Sequence, residues 1–173
     1  MNAEVVWLPL RAFTDPYWVP WVPTRRELLD TIFSLVKPTA RDVFYDLGSG
    51  DGRVVVEAAR RGAGKAVGIE RNPELVAEAW RLAHREGVAD RVKFILGDFF
   101  SIPIRDATIV YMYLLTRINR MLRRKLEAEL RLGTRIITLD FEIPGWRPVH
   151  VVSRSVGGME RTIYLYVKGV SNP

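Results

Sequence analysis

Two rhythms of apolar residues take turns along this chain. Short, mostly apolar runs at 43–46, 66–70, 92–96, 107–113 and 135–139 alternate with stretches whose apolar residues recur every three or four positions. The first kind predicts strands buried on both faces, and the second predicts helices with one buried stripe. Leu28, Leu29, Ile32, Phe33 and Val36 form such a stripe, and Pro38 ends it. Thr24 is placed as the N-cap of that helix, with Glu27 three residues on completing a capping box. Further helices are predicted over 53–61, over 73–86 with Pro73 at the first position and Gly87 at the close, and over 117–130. Strand and helix in alternation imply parallel βαβ units and a doubly wound sheet. The rhythm then changes, because strand patterns at 149–153 and 162–167 are joined through Gly157 and Gly158 with no helix between them. The expected fold is therefore α/β, a Rossmann-like doubly wound sheet of seven strands, five parallel plus a C-terminal antiparallel pair. Residues 1–23 follow neither rhythm: Trp7, Tyr17, Trp18 and Trp21 sit among Pro9, Pro16, Pro20 and Pro23. Proline at that density excludes a regular helix and predicts an extended arm ahead of a single domain over 24–173. Its aromatic residues would either pack the arm onto the domain or close as a lid over a ligand.

The first strand leads directly into chemistry. Residues 43–52 read Val-Phe-Tyr-Asp-Leu-Gly-Ser-Gly-Asp-Gly, so the run delivers Asp46 and then opens into Gly48, Gly50 and Gly52. Alternate glycines allow a tight turn with no Cβ in the way, and the helix that follows points its free N–H groups at whatever lies over the loop. The second strand ends in Glu70, eighteen residues past Gly52. That is close to the ~20-residue interval at which a carboxylate grips ribose hydroxyls. The glycine spacing is not the G-x-G-x-x-G of a dinucleotide site, and Asp46 and Asp51 would repel a diphosphate. Two carboxylates suit a ligand with an ammonium and neutral hydroxyls, which describes S-adenosyl-L-methionine. A glycine turn with acidic helix-capping residues is the plainer alternative for the loop taken by itself.

Composition narrows the chemistry from the other side. Cysteine is absent, which excludes disulfides, thiolate zinc sites and cysteine nucleophiles, and with two histidines a histidine-rich metal site is not expected. No metal is predicted. The apolar fraction of 48% with 27% charged residues is ordinary globular composition. No run of eighteen apolar residues and no basic-then-apolar start are present, so a cytoplasmic protein without a membrane partner is expected. Glutamine is absent and arginine far outnumbers lysine, a bias that points to a thermophile. The net charge of +6 fits either an acidic or nucleic-acid partner or a solvated arginine-rich surface.

Asp-Leu-Gly-Ser-Gly-Asp-Gly-Arg at 46–53 with Gly-Ile-Glu at 68–70 resembles motifs I and II of the class I S-adenosylmethionine-dependent methyltransferases. Gly-Asp-Phe-Phe at 97–100 is similar to the acid after the third strand of that family. Val-Pro-Thr at 22–24, Tyr-Leu-Leu-Thr at 113–116 and Asp-Phe-Glu-Ile-Pro-Gly-Trp at 140–146 narrow the resemblance to the archaeal protein lysine methyltransferases and their mitochondrial relatives. Trp21 stands where that group usually has a tyrosine. The resemblance implies that Asp46, Gly48, Gly50, Gly52 and Glu70 bind the methionine and ribose, that Asp98 accepts from the adenine amino group with Phe99 on the ring, and that Thr24 serves the methionine carboxylate. It also implies transfer to lysine ε-amino groups of proteins with broad specificity, small basic chromatin proteins among the substrates.

Asp46, Glu70, Asp98, Tyr113 and Asp140 all end predicted strands, so all five are expected to rim one crevice. Tyr113, Asp140 and Glu142 are the candidate catalytic residues, with Phe141 and Trp146 beside the substrate. Aromatic faces and carboxylates together suit a lysine side chain. Several site residues also have a plainer role: a buried strand-end tyrosine for Tyr113, a packing anchor for Trp146, a loop surface charge for Glu142, helix capping for Thr24. An RNA methyltransferase, or a donor-binding module without catalysis, stays open as an alternative.

Overall fold

The computed structural model describes residues 21–172, so the arm expected ahead of them lies largely outside the described residues. A 3₁₀ turn, Arg26–Leu28, runs into helix α1 (Leu29–Val36), and then β1 (Val43–Leu47), α2 (Arg53–Arg60), β2 (Lys65–Glu70), α3 (Pro73–Arg85), β3 (Val92–Leu96), β4 (Ile109–Met112), α4 (Thr116–Glu129), β5 (Arg135–Leu139), β6 (His150–Val156) and β7 (Met159–Val167) follow. The strands form one sheet in the order β3-β2-β1-β4-β5-β7-β6. The first five are parallel, while β7 runs antiparallel to both β5 and β6. This is the seven-stranded arrangement the apolar rhythm predicts.

The central parallel strands are mostly apolar because helices cover both of their faces. Adjacent residues of β1 go to opposite layers: Phe44 packs with α1 and α2 through Phe33 and Val55, and Tyr45 packs with α4 through Ile118 and Leu122. Helix α3 starts as Pro73 requires, with Asn72 as N-cap accepting from the Glu74 N–H at 2.9 Å. Gly87, at φ 67°, lets the chain turn away after it.

Two local expectations need correction. Thr24 is not an N-cap: Arg25 precedes the helical turn and no side chain caps it. The C-terminal strands are longer than expected because Val156 pairs with Met159 across Gly157 and Gly158 alone. Both glycines have positive φ, 59° and 76°, as a two-residue type I′ turn requires, so pairing continues to the turn itself. Polar residues such as Ser153, Arg154 and Ser155 lie on the exposed edge strand and hide its strand signal.

Candidate active site

The carboxyl ends of the parallel strands open into a crevice holding about 840 Å³ of space, part of it open to solvent. That is the size range of small-molecule sites. Asp46, Glu70, Asp98 and Tyr113 all line it. The loop after β1 forms its floor, with Gly48, Gly50 and Gly52 at φ 89°, 53° and 77°. A Cβ on Gly52 would lie 2.6 Å from the Ala79 Cβ and 2.8 Å from the Phe94 ring, so both conformation and closeness demand glycine there. A Cβ on Gly50 would meet the indole Nε1 of Trp21 at 2.3 Å. Trp21 thus lies across the glycine loop at the crevice rim, half exposed.

Two acids of the crevice are held differently. The Glu70 carboxylate accepts from the Gly50 N–H at 3.0 Å and from the Arg71 and Asn72 N–H groups at 2.9 Å. Three backbone donors fix its position and still leave acceptor capacity on its two oxygens. Asp46 is buried, and burial, then Glu70, then Asp51, push its carboxyl well above the ordinary aspartate value. The charged groups that act on it are acids, so a cation delivered by a ligand suits it. Asp51 is compensated instead by Arg53, whose guanidinium forks onto it at 2.5 and 3.0 Å.

Asp98 stands exposed at the rim, its Oδ1 accepting from the Phe100 N–H at 2.9 Å, and Phe99 beside it lines the crevice. Thr24 is buried, and its Oγ1 lies 2.8 Å from the hydroxyl of Tyr111, which is why it does not cap. The Thr24 carbonyl accepts from Arg53 Nη1 at 3.2 Å. These contacts tie the 22–24 segment down over the glycine loop.

At the far wall, Tyr113 donates its hydroxyl to Asp140 Oδ2 at 3.2 Å. Asp140 has φ 62°, a left-handed backbone that aspartate tolerates, and its Oδ1 accepts from the Thr162 N–H at 3.0 Å. Arg161 on β7 pairs with Asp140 at 3.0 Å and donates to the Tyr113 hydroxyl. Burial, then Asp140, push the Tyr113 phenol up while Arg161 pulls it down, and the phenol stays neutral near pH 7. Phe141 stacks beside Tyr113, with ring centroids 6.4 Å apart.

Asp140, expected to rim the crevice with the other strand-end residues, and Phe141 adjoin it only through Tyr113, and the structure does not bring Glu142 or Trp146 to it. Glu142 is exposed, and its backbone carbonyl, like that of Phe141, accepts from the buried Asn119 side chain of α4. Trp146 is buried against Tyr166 with its Nε1 donating to Glu127 at 3.2 Å, so it anchors the loop to the core. Four further residues shape the site without having been singled out from sequence: Arg53, Tyr111, Asn119 and Arg161. Tyr111 was within reach, because strand period places it on the same face as Tyr113. Arg161 carries no local signal, since only the β5–β7 register brings it to Asp140.

A buried acid flanked by acids, a carboxylate fixed at a glycine loop, and an exposed acid with a phenylalanine beside it have the chemistry to take a small ligand with a cation, hydroxyls and an aromatic base. Similar proteins agree. A protein-lysine N-methyltransferase of Saccharolobus islandicus is 43% identical over 152 residues, covering 87% of this chain and 94% of that protein. An adenine nucleotide translocase lysine N-methyltransferase of Mus musculus is 36% identical, covering 78% of this chain and 58% of that protein. A crystal structure described as an RNA methyltransferase from Salinibacter ruber with S-adenosyl-L-homocysteine superposes with TM-score 0.80 at 39% identity, over 88% of this chain and 97% of that one. A family model described as the ANTKMT methyltransferase domain matches residues 46–150. The chain belongs to this methyltransferase family and uses S-adenosyl-L-methionine as its methyl donor.

Proposed function

We propose that this enzyme methylates lysine ε-amino groups of proteins, with broad specificity. The observation that carries the reading is the acceptor wall, where Tyr113 lines the crevice with Asp140 hydrogen-bonded to its hydroxyl and Phe141 stacked beside it. An aromatic wall whose acid is already paired with Arg161 suits a long, flexible amine that reacts in its neutral form. The protein-lysine N-methyltransferase name of the Saccharolobus relative, similar over nearly its whole length, supports the same class.

The donor supplies a methyl group made electrophilic by its sulfonium. An incoming lysine must first lose a proton, because its ordinary pKa is about 10.4. The neutral amine then forms the N–C bond as the S–C bond breaks and its electron pair returns to sulfur. Positioning provides most of the acceleration, and the new methylammonium releases its proton to solvent. In this reading Asp46 holds the donor's ammonium, Glu70 its ribose hydroxyls, Asp98 and Phe99 its adenine. The glycines at 48, 50 and 52 lie beneath it, and Thr24 with Arg53 stands nearest its carboxylate. Tyr113 and Asp140 face the amine. Glu142 would act from the rim on the approaching chain, and small basic chromatin proteins are one class of substrate compatible with it.

A second reading has its own observations: the Salinibacter neighbour is described as an RNA methyltransferase, and the chain carries +6. One experiment separates them. Labelled S-adenosyl-L-methionine is incubated with enzyme and cell extract, and the product is divided between protease and nuclease. Label lost to protease and kept through nuclease is expected; label lost only to nuclease would assign RNA.

A further inference from the structure

Arg161 is in direct contact with the acceptor wall. Its Nη1 lies 3.0 Å from Asp140 Oδ2, and its Nη2 donates to the Tyr113 hydroxyl. The guanidinium carbon stands 5.5 Å from the Tyr113 ring centroid. The side chain is 15% exposed, and its Nε is buried without a hydrogen-bond partner. An unpaired buried donor is unfavourable, so the contacts with Asp140 and Tyr113 are what hold the group in place. Arg161 also walls a second, shallower groove outside the crevice, and that groove shares Val22, Pro23 and Arg53 with it. It therefore links the outer groove to Tyr113, which lines the crevice.

We propose that Arg161 makes the acceptor wall select lysine as its neutral amine, by cancelling the charge of Asp140 so that no free carboxylate holds the entering side chain as an ammonium. The inference rests on the protein-lysine reading above. A carboxylate within ~4–6 Å of an amine stabilises its charged form, and a charged amine has no lone pair for the methyl carbon. With Arg161 in place the lysine meets an ion pair and a neutral phenol. Among the other groups around the pair, Tyr111 is a buried, neutral phenol on β4, and Tyr164 on β7 is likewise pushed up by burial and by Glu142 and Asp140. The outer groove adds the guanidinia of Arg25 and Arg26 against the single acid Glu27, which also disfavours an ammonium. Asp46 lies deeper, on the donor's side of the crevice.

The test is the pH dependence of methyl transfer into extract protein at sub-saturating acceptor, from about pH 6 to about pH 10. Rates should climb along an acid limb as the acceptor deprotonates. In Arg161→Gln the limb should move up by about one unit, so that rates below it fall roughly tenfold and recover as pH rises. Asp140→Asn should move it down, and the double variant should return it toward the wild-type position. Arg161→Lys, which keeps the charge, should keep the limb. S-adenosyl-L-methionine binding and thermal unfolding establish that each variant is folded. A purely structural role would lower rates at every pH. A limb that stays put in both single variants, moves the same way in both, or moves as far in Arg161→Lys as in Arg161→Gln overturns the inference. Wild-type label that enters only nuclease-sensitive material overturns instead the lysine reading beneath it.

Discussion

In the role proposed for it, holding the donor's ammonium, Asp46 links donor binding to protons. Its carboxyl is held well above the ordinary value by burial, Glu70 and Asp51, so the ligand-free protein keeps it protonated over a range where a free aspartate is ionised. A group whose folded pKa is raised stabilises the fold at low pH and loses that contribution as pH rises through the folded value. An arriving ammonium reverses the preference and ionises the acid. Donor binding should therefore release protons and tighten as pH rises above about 4. Calorimetry in buffers of different ionisation enthalpy measures the release directly. Asp46→Asn should bind more weakly, by about tenfold or more, and should show no linked proton from this site. Thr24 carries the opposite lesson at this scale. Its position before a helix reads as a cap, yet its hydroxyl is committed to Tyr111, eighty-seven residues away. Local sequence can show which groups are polar, while the partner depends on the register of β1 with β4, which sets Asp46 opposite Tyr111.

Among the elements, the loop after β5 and the segment before α1 both border the crevice but are held by different means. The loop is fastened by Asn119 of α4 at one end and by Trp146 at the other. Trp21 instead rests its half-exposed indole on Gly50. Substitution should separate these roles. Trp146→Ala removes a buried aromatic and should cost about 3–5 kcal/mol of stability, read by thermal or denaturant unfolding. Trp21→Ala should leave unfolding within about 0.5 kcal/mol of wild type, as exposed positions generally do, while changing the donor dissociation rate measured by fluorescence. Equal stability losses in the two variants would show that Trp21 is a packing residue too. The parallel strands were legible because their apolar runs are too short for helices and alternate with helical stripes. Glu70 and Asp98 were legible because strand ends locate them. Trp146 was not, because an aromatic residue in a loop looks the same whether it faces a substrate or a core.

The molecule as a whole is tied at the end opposite the crevice by Asp42. Burial alone would raise its carboxyl, but hydrogen bonds from Thr108 and Thr39 and the charge of Arg135 bring it below the ordinary value. Those partners come from the segment after α1, from the start of β4 and from β5, so one acid joins three parts of the fold. A depressed folded pKa means stability that is present above the unfolded value and lost as pH falls through the folded one. Asp42→Asn should therefore lower stability by about 1–3 kcal/mol at neutral pH and flatten the loss below about pH 4, measured by denaturant unfolding across pH. The sheet order has a consequence in time. Because β7, and not β6, lies against β5, the edge of β5 has no partner until residue 167 has been made. At ~5–20 residues per second, the stretch from Leu139 to Val167 leaves that edge open for a few seconds of synthesis. The residues of the donor side, from Thr24 to Phe99, are all synthesised before Arg161. On the ribosome, the residues proposed to hold the reagent are therefore made before the residue proposed to screen what the reagent meets.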